Sequence, residues 1–145
     1  MLADFYQLSR DPVERILPVI AGRILSDGGR LLVVSQSAEQ RGAISDALWN
    51  HAPESFLAHG DADGDRPQVQ PILLSAVAQA DNGARNIALA DGIWRQEATA
   101  FDRAFLFFDQ AGIGGARDCW RMLGGQEGVE RRFWRQEGRK WVQGP

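Results

Sequence analysis

Ala104-Phe105-Leu106-Phe107-Phe108 is an uninterrupted apolar run of five residues, and no feature of the chain restricts its fold more. Alternate side chains of a strand point to opposite sides, so a strand apolar at every position has both faces covered. Shorter runs of the same kind recur at Leu31-Leu32-Val33-Val34, at Ile72-Leu73-Leu74 behind Pro71, and at Ile87-Ala88-Leu89. Strands of this kind belong to parallel sheets layered between helices.

The intervening segments supply the helices. Asp11-Pro12 predicts a helix start, with Asp11 as cap and proline at the first helical position. Val13, Ile16, Leu17, Ile20 and Ile24 follow at helical spacing, with Pro18 inside, and Gly28-Gly29 ends the segment. Ser37-Ala38-Glu39-Gln40 fits a capping box, so a second helix starts there, with Ile44, Ala47 and Leu48 inward. A third helix is expected from about Gly115 to Leu123. Phe5 to Leu8 and Phe56 to Ala58 read as further strands, Ile93 to Ala100 as an ambiguous helical stretch, and Arg132–Trp134 with Lys140–Val142 as a terminal hairpin. The expected fold is a Rossmann-like three-layer α/β sandwich with a largely parallel central sheet, formed by residues 1–145 as one domain.

Composition narrows the function. A single cysteine, Cys119, forms no internal disulfide, and no apolar run approaches the length of a membrane span. The N-terminus lacks the basic start and long apolar stretch of a secretory signal, so a cytoplasmic protein is expected. The net charge of −3 is uneven: from Gly114 onward seven basic residues outnumber four acidic ones, a local balance of +3. An acidic body argues against strong direct binding to nucleic acid, whereas the basic C-terminal third suits an anionic partner.

Several chemical motifs fail on inspection. His51 and His59 flank a proline break, and only Cys119 is left to join them as a His or Cys zinc ligand; no metal site is expected. Ser55 lies outside any nucleophile-elbow sequence. Asp61, Asp63 and Asp65 imitate part of a calcium loop, but Arg66 and Ile72 stand where glycine and glutamate belong. Gly112-Ile113-Gly114-Gly115 follows a strand and opens a helix, yet Arg117 takes the place of the third glycine of a dinucleotide loop. No nucleotide-binding loop, no cofactor and no catalytic residue are therefore expected. A nucleotide- or S-adenosylmethionine-dependent transferase built on that loop is the alternative.

One constellation remains. In Ala116-Arg117-Asp118-Cys119-Trp120-Arg121 a helix puts Arg117, Trp120 and Arg121 on one face. Guanidinium groups beside an indole suit a carboxylate with an apolar neighbour, such as the end of an acidic peptide. An ordinary amphipathic helix, with Trp120 inward and its arginines at the surface, accounts for the same spacing.

Asp46-Ala47-Leu48-Trp49, followed by Ser55-Phe56-Leu57-Ala58-His59, resembles the "D-x-L-W … S-F-x-x-H" signature of the chi subunit family of bacterial DNA polymerase III. Phe5-Tyr6-Gln7-Leu8 and Gly29-Arg30-Leu31-Leu32-Val33 agree with it collinearly, while Ala58 stands where family members commonly have proline. The resemblance implies a non-enzymatic adaptor without nucleotide binding. Such a subunit binds the psi subunit, and through it the clamp loader, and on another surface the acidic C-terminal tail of single-stranded DNA-binding protein, which ends in phenylalanine. It assigns the tail's carboxylate to Arg117, added charge to Arg121, and apolar walls to Trp120, Trp49 and Phe56. The family's further basic residues fall near Gly114 and Gly124 here, with Arg131 or Arg132 as substitutes.

Overall fold

A computed structural model describes residues 1–51 and 57–144. Among these residues eight strands form one sheet: β1 (Leu2–Gln7), β2 (Leu31–Val34), β3 (His59–Asp61), β4 (Ile72–Ser75), β5 (Asn86–Leu89), β6 (Arg103–Phe108), β7 (Glu130–Glu137) and β8 (Lys140–Gln143). Their order across the sheet is β3-β4-β2-β5-β6-β1-β7-β8. Every neighbouring pair is parallel except β7–β8, which closes the sheet as an antiparallel hairpin. The apolar runs are the central strands, and β2 and β4 are buried along their whole lengths.

Three α-helices accompany the sheet among the described residues: α1 (Val13–Ser26), α2 (Ala38–Asn50) and α3 (Ile113–Gly124). α1 and α2 carry the chain towards the β3 edge, and α3 carries it the opposite way. Right-handed crossovers therefore place them on opposite faces of the sheet. The two cores follow that division. Leu17, Ile20, Ile44 and Leu48 pack on Leu31, Val33, Phe105 and Phe107. Ala116, Cys119 and Leu123 pack on Phe5, Leu32, Leu106 and Phe108, together with the alanine-rich connections around Ala84 and Ala98. Among the described residues no helix is long and apolar enough to cross a membrane.

Local details depart from the sequence reading. α1 begins one residue late, with Pro12 at the cap, because the Asp11 carboxylate is taken by the Gln136 amide at 2.7 Å. Only half of the capping box forms: Ser37 Oγ accepts from the Gln40 backbone N–H, while the Gln40 side chain turns to Ser35 and to the Ala90 carbonyl. Ile93 to Ala100 contains one 3-10 turn, Gln96–Ala100. The third strand is His59–Asp61; Leu57 and Ala58, expected in it, precede it, and Phe56 lies outside the described residues.

Asp4 sets the position of the hairpin. It is fully buried on β1, directly beside Arg132 of β7. Arg132 donates to both carboxylate oxygens, at 2.7 and 3.1 Å, Arg103 of β6 donates at 2.9 Å, and the Trp134 indole at 3.0 Å. Burial would raise this carboxyl, but these donors outweigh it and hold it below the ordinary carboxylate value.

Candidate functional site

α3 begins directly behind β6. The Asp109 carboxylate accepts from the Gly112 N–H and closes the 3-10 turn that leads into the helix. Ala116, Cys119 and Leu123, at spacings of three and four, face the sheet, and burial pushes the Cys119 thiol up to about 12. That thiol is a small core group rather than a nucleophile. Arg117 and Arg121 lie on the exposed side, and Trp120 stands half-buried at the boundary.

Between α3 and the β7–β8 hairpin runs a groove of about 640 Å³. Its apolar lining comes from Phe5, Phe108, Ile113, Ala116, Trp120 and Phe133. Trp120 meets Phe5 edge-on at 5.2 Å between ring centroids and Phe133 at 6.2 Å, so its indole is held as a wall. Arg117, Arg121, Arg131, Arg132 and Arg135 also line the groove, and no carboxylate does among the described residues. The Arg117 guanidinium makes no hydrogen bond or ion pair to a described residue. Arg121 makes exposed contacts with the Asp118 carboxylate at 3.2 Å and the Arg117 carbonyl at 3.4 Å, and such an exposed ion pair holds little energy. The guanidinium groups of Arg117, Arg121, Arg131 and Arg135 over an aromatic floor create an anion-attracting cleft with a place for an apolar side chain, while that of Arg132 is taken by Asp4.

Of the five residues expected at a peptide site, Arg117, Trp120 and Arg121 come together here. Trp49 does not join them. It sits half-exposed on α2, on the opposite face of the sheet, in a shallower concavity with Arg41, Ser45 and His59. Its proximity to the motif in sequence conveyed nothing about which face of the sheet it occupies. Phe56 lies outside the described residues. Sequence reasoning missed Arg135 and the phenylalanines of the floor; the alternation of β7 was the available signal, once that strand was placed beside β1.

His59 has a structural occupation. Its Nδ1 donates to the Leu57 carbonyl at 2.8 Å, its Nε2 accepts from the Ser45 hydroxyl at 2.8 Å, and its ring packs against Trp49 at 4.4 Å. Among the described residues no three His, Cys, Asp or Glu side chains are grouped to hold a metal. The crevice at the carboxyl ends of β1, β5 and β6, where open α/β sheets commonly hold ligands, is a concavity of about 470 Å³ whose lining side chains Gln40 and Asp91 are engaged in internal contacts. There Arg95 grips Asp91 at 2.7 and 2.9 Å, the Gln36 and Ile93 N–H groups bond the same carboxylate, and Gln40 reaches across to Ala90. Burial would raise Asp91, but these donors hold it below its ordinary value. At Gly114 and Gly115 an added Cβ would meet nothing within 4 Å, so neither glycine answers a close approach of neighbouring chain.

The fold and site together define a layered α/β domain with an arginine-lined apolar groove. A family model described as DNA polymerase III chi subunit, HolC, matches residues 1–130, and the chain belongs to that family. Its role is accordingly that of a replication accessory subunit of DNA polymerase III. Comparison with curated proteins found no match.

Proposed function

We propose that this protein is a non-catalytic adaptor that joins the clamp loader, through a psi subunit, to the acidic C-terminal tail of single-stranded DNA-binding protein. The groove carries the reading: the guanidinium groups of Arg117, Arg121, Arg131 and Arg135 and an aromatic floor, with no carboxylate among the described lining residues, complement an acidic peptide that ends in phenylalanine. Arg117 takes the terminal carboxylate, Arg121 adds charge along the peptide, and Trp120 walls the phenylalanine ring. The layered sheet is read as Rossmann-like but without a nucleotide role, since Arg117 stands where a dinucleotide loop has its third glycine and Asp91 at the crevice is taken by Arg95. An adaptor needs a second surface, and the opposite face, with Trp49 half-exposed, is left for psi.

The test is a titration of the purified protein with a labelled acidic peptide ending in phenylalanine, at moderate salt. Arg117→Ala is expected to weaken binding by about a hundredfold, the cost of a central charged anchor. Unchanged affinity would end the assignment of this site. Co-purification of clamp-loader subunits with wild-type protein and with Trp49→Ala tests the second surface.

A further inference from the structure

α3 ends in glycine, a residue that weakens a helix by up to about 1 kcal/mol against alanine. The space beside Gly124 has an occupant. A Cβ at that position would lie 2.8 Å from Nη1, 2.9 Å from Cζ and 3.2 Å from Nη2 of Arg131. The Arg131 guanidinium thus fills the place where a side chain of α3 would stand. From there it lies over the Trp120 ring, with Cζ 4.2 Å from the centroid, and Nη1 donates to the Trp120 carbonyl at 2.7 Å. These contacts bind the first residue beyond the family-matched segment to the indole that walls the groove.

We propose that Arg131 is a binding residue of the groove and that Gly124 is its positioning residue. One nitrogen anchors the guanidinium to Trp120, and the other N–H groups remain to receive a carboxylate of an acidic peptide. A cation stacked on the wall is oriented before the ligand arrives, so little side-chain freedom is lost on binding. Residue 124 contributes by having no side chain. The inference rests on the peptide reading of the groove and adds to it a second cationic bank, supplied by the hairpin rather than by α3.

Substitution at Gly124 separates this role from stability. The atoms that an alanine would touch are the far end of a flexible side chain, so Gly124→Ala moves the guanidinium while leaving the backbone unstrained. The experiment is a fluorescence-anisotropy titration of the full chain with labelled Asp-Asp-Asp-Leu-Phe bearing a free C-terminal carboxylate. Arg131→Ala is expected to weaken binding about tenfold and Arg131→Lys several-fold, because an ammonium cannot lie flat over an indole. Gly124→Ala is expected to weaken binding several-fold with an unfolding midpoint equal to or above wild type. Because it acts through Arg131, the double variant should bind no more weakly than Arg131→Ala alone. Should Arg131→Ala fail to fold, Gly124→Ala and Arg131→Lys still carry the test. If Arg117→Ala loses the peptide while Arg131→Ala and Gly124→Ala bind as wild type does, this inference is overturned and the groove reading stands. If the wild-type chain does not bind the peptide at all, both fall.

Discussion

Arg132 and its neighbours on β7 meet opposite fates. Arg132 turns to the α1 side of the sheet, where buried Asp4 takes its guanidinium through two hydrogen bonds. Arg131 and Arg135, one position before it and three positions after, turn to the α3 side, where no described carboxylate lines the groove. Arg131 is held there by an indole and a carbonyl, and Arg135 pairs at its outer end with Glu137 at 2.7 Å. A strand's period of two thus divides one basic run into a neutralised structural ion cluster and a charged binding surface. The difference lies in the partner that the neighbouring strand presents, not in the residue type.

The structural side should respond most strongly to loss of its anion. Asp4→Asn leaves Arg103, Arg132 and the Trp134 N–H arranged around a neutral amide. Breaking a fully buried ion cluster costs several kcal/mol, reduced here because both arginines reach solvent, so a loss of about 2–3 kcal/mol is expected in urea unfolding at pH 7. A stability equal to wild type would mean that the hairpin docks through Tyr6, Trp134 and Trp141 alone. On the groove side, the corresponding change is the loss of peptide affinity in Arg117→Ala, with stability retained.

Acid should expose the same contrast in smaller measure. Asp4 and Asp91 are both depressed in the folded protein, so the unfolded chain takes up protons first as pH falls. Their contribution is fully present above the ordinary carboxylate value near 3.9 and is lost as pH falls through the folded-state values. Asp91 remains in the Asp4→Asn variant, so the gap in stability between the two proteins isolates Asp4. Urea midpoints measured from pH 7 to pH 3 should show that gap constant above about pH 5 and narrowing below about pH 4. A gap independent of pH would show that Asp4 does not act as an anion.

The legibility of these features in the sequence follows the range of the interactions behind them. Buried strands such as Leu31–Val34 were legible because apolarity at every position is a local property of a doubly covered strand. Arg117, Trp120 and Arg121 were legible as a set because helical spacing alone brings them together. Asp4 was not. A carboxylate in a first strand gives no sign of burial, and its partners lie 99, 128 and 130 positions away. The division of the β7 arginines likewise depends on the pairing of Asp4 with Arg132, which is set by the return of the chain beside β1. Gly124 looked like a missing charge, because only the packed structure shows an arginine in the space it leaves.

The smallest effect is expected on the far face, and it is the one that separates identification from function. Trp49 belongs to the motif that resembles the family most closely, and the resemblance assigned it to the peptide site. The structure puts α2 and α3 on opposite faces of the sheet, with Ile44 and Leu48 in one core and Ala116 and Cys119 in the other. No side chain of α2 lines the arginine groove among the described residues. Trp49→Ala removes a half-exposed ring that packs on His59, so its cost should stay near that of a surface truncation, about 1 kcal/mol. Affinity for the acidic peptide should remain within about twofold of wild type, as expected for sites that share no partners. A tenfold loss would show that the two faces communicate through the sheet and would end the separation of an anionic-peptide face from a second docking face.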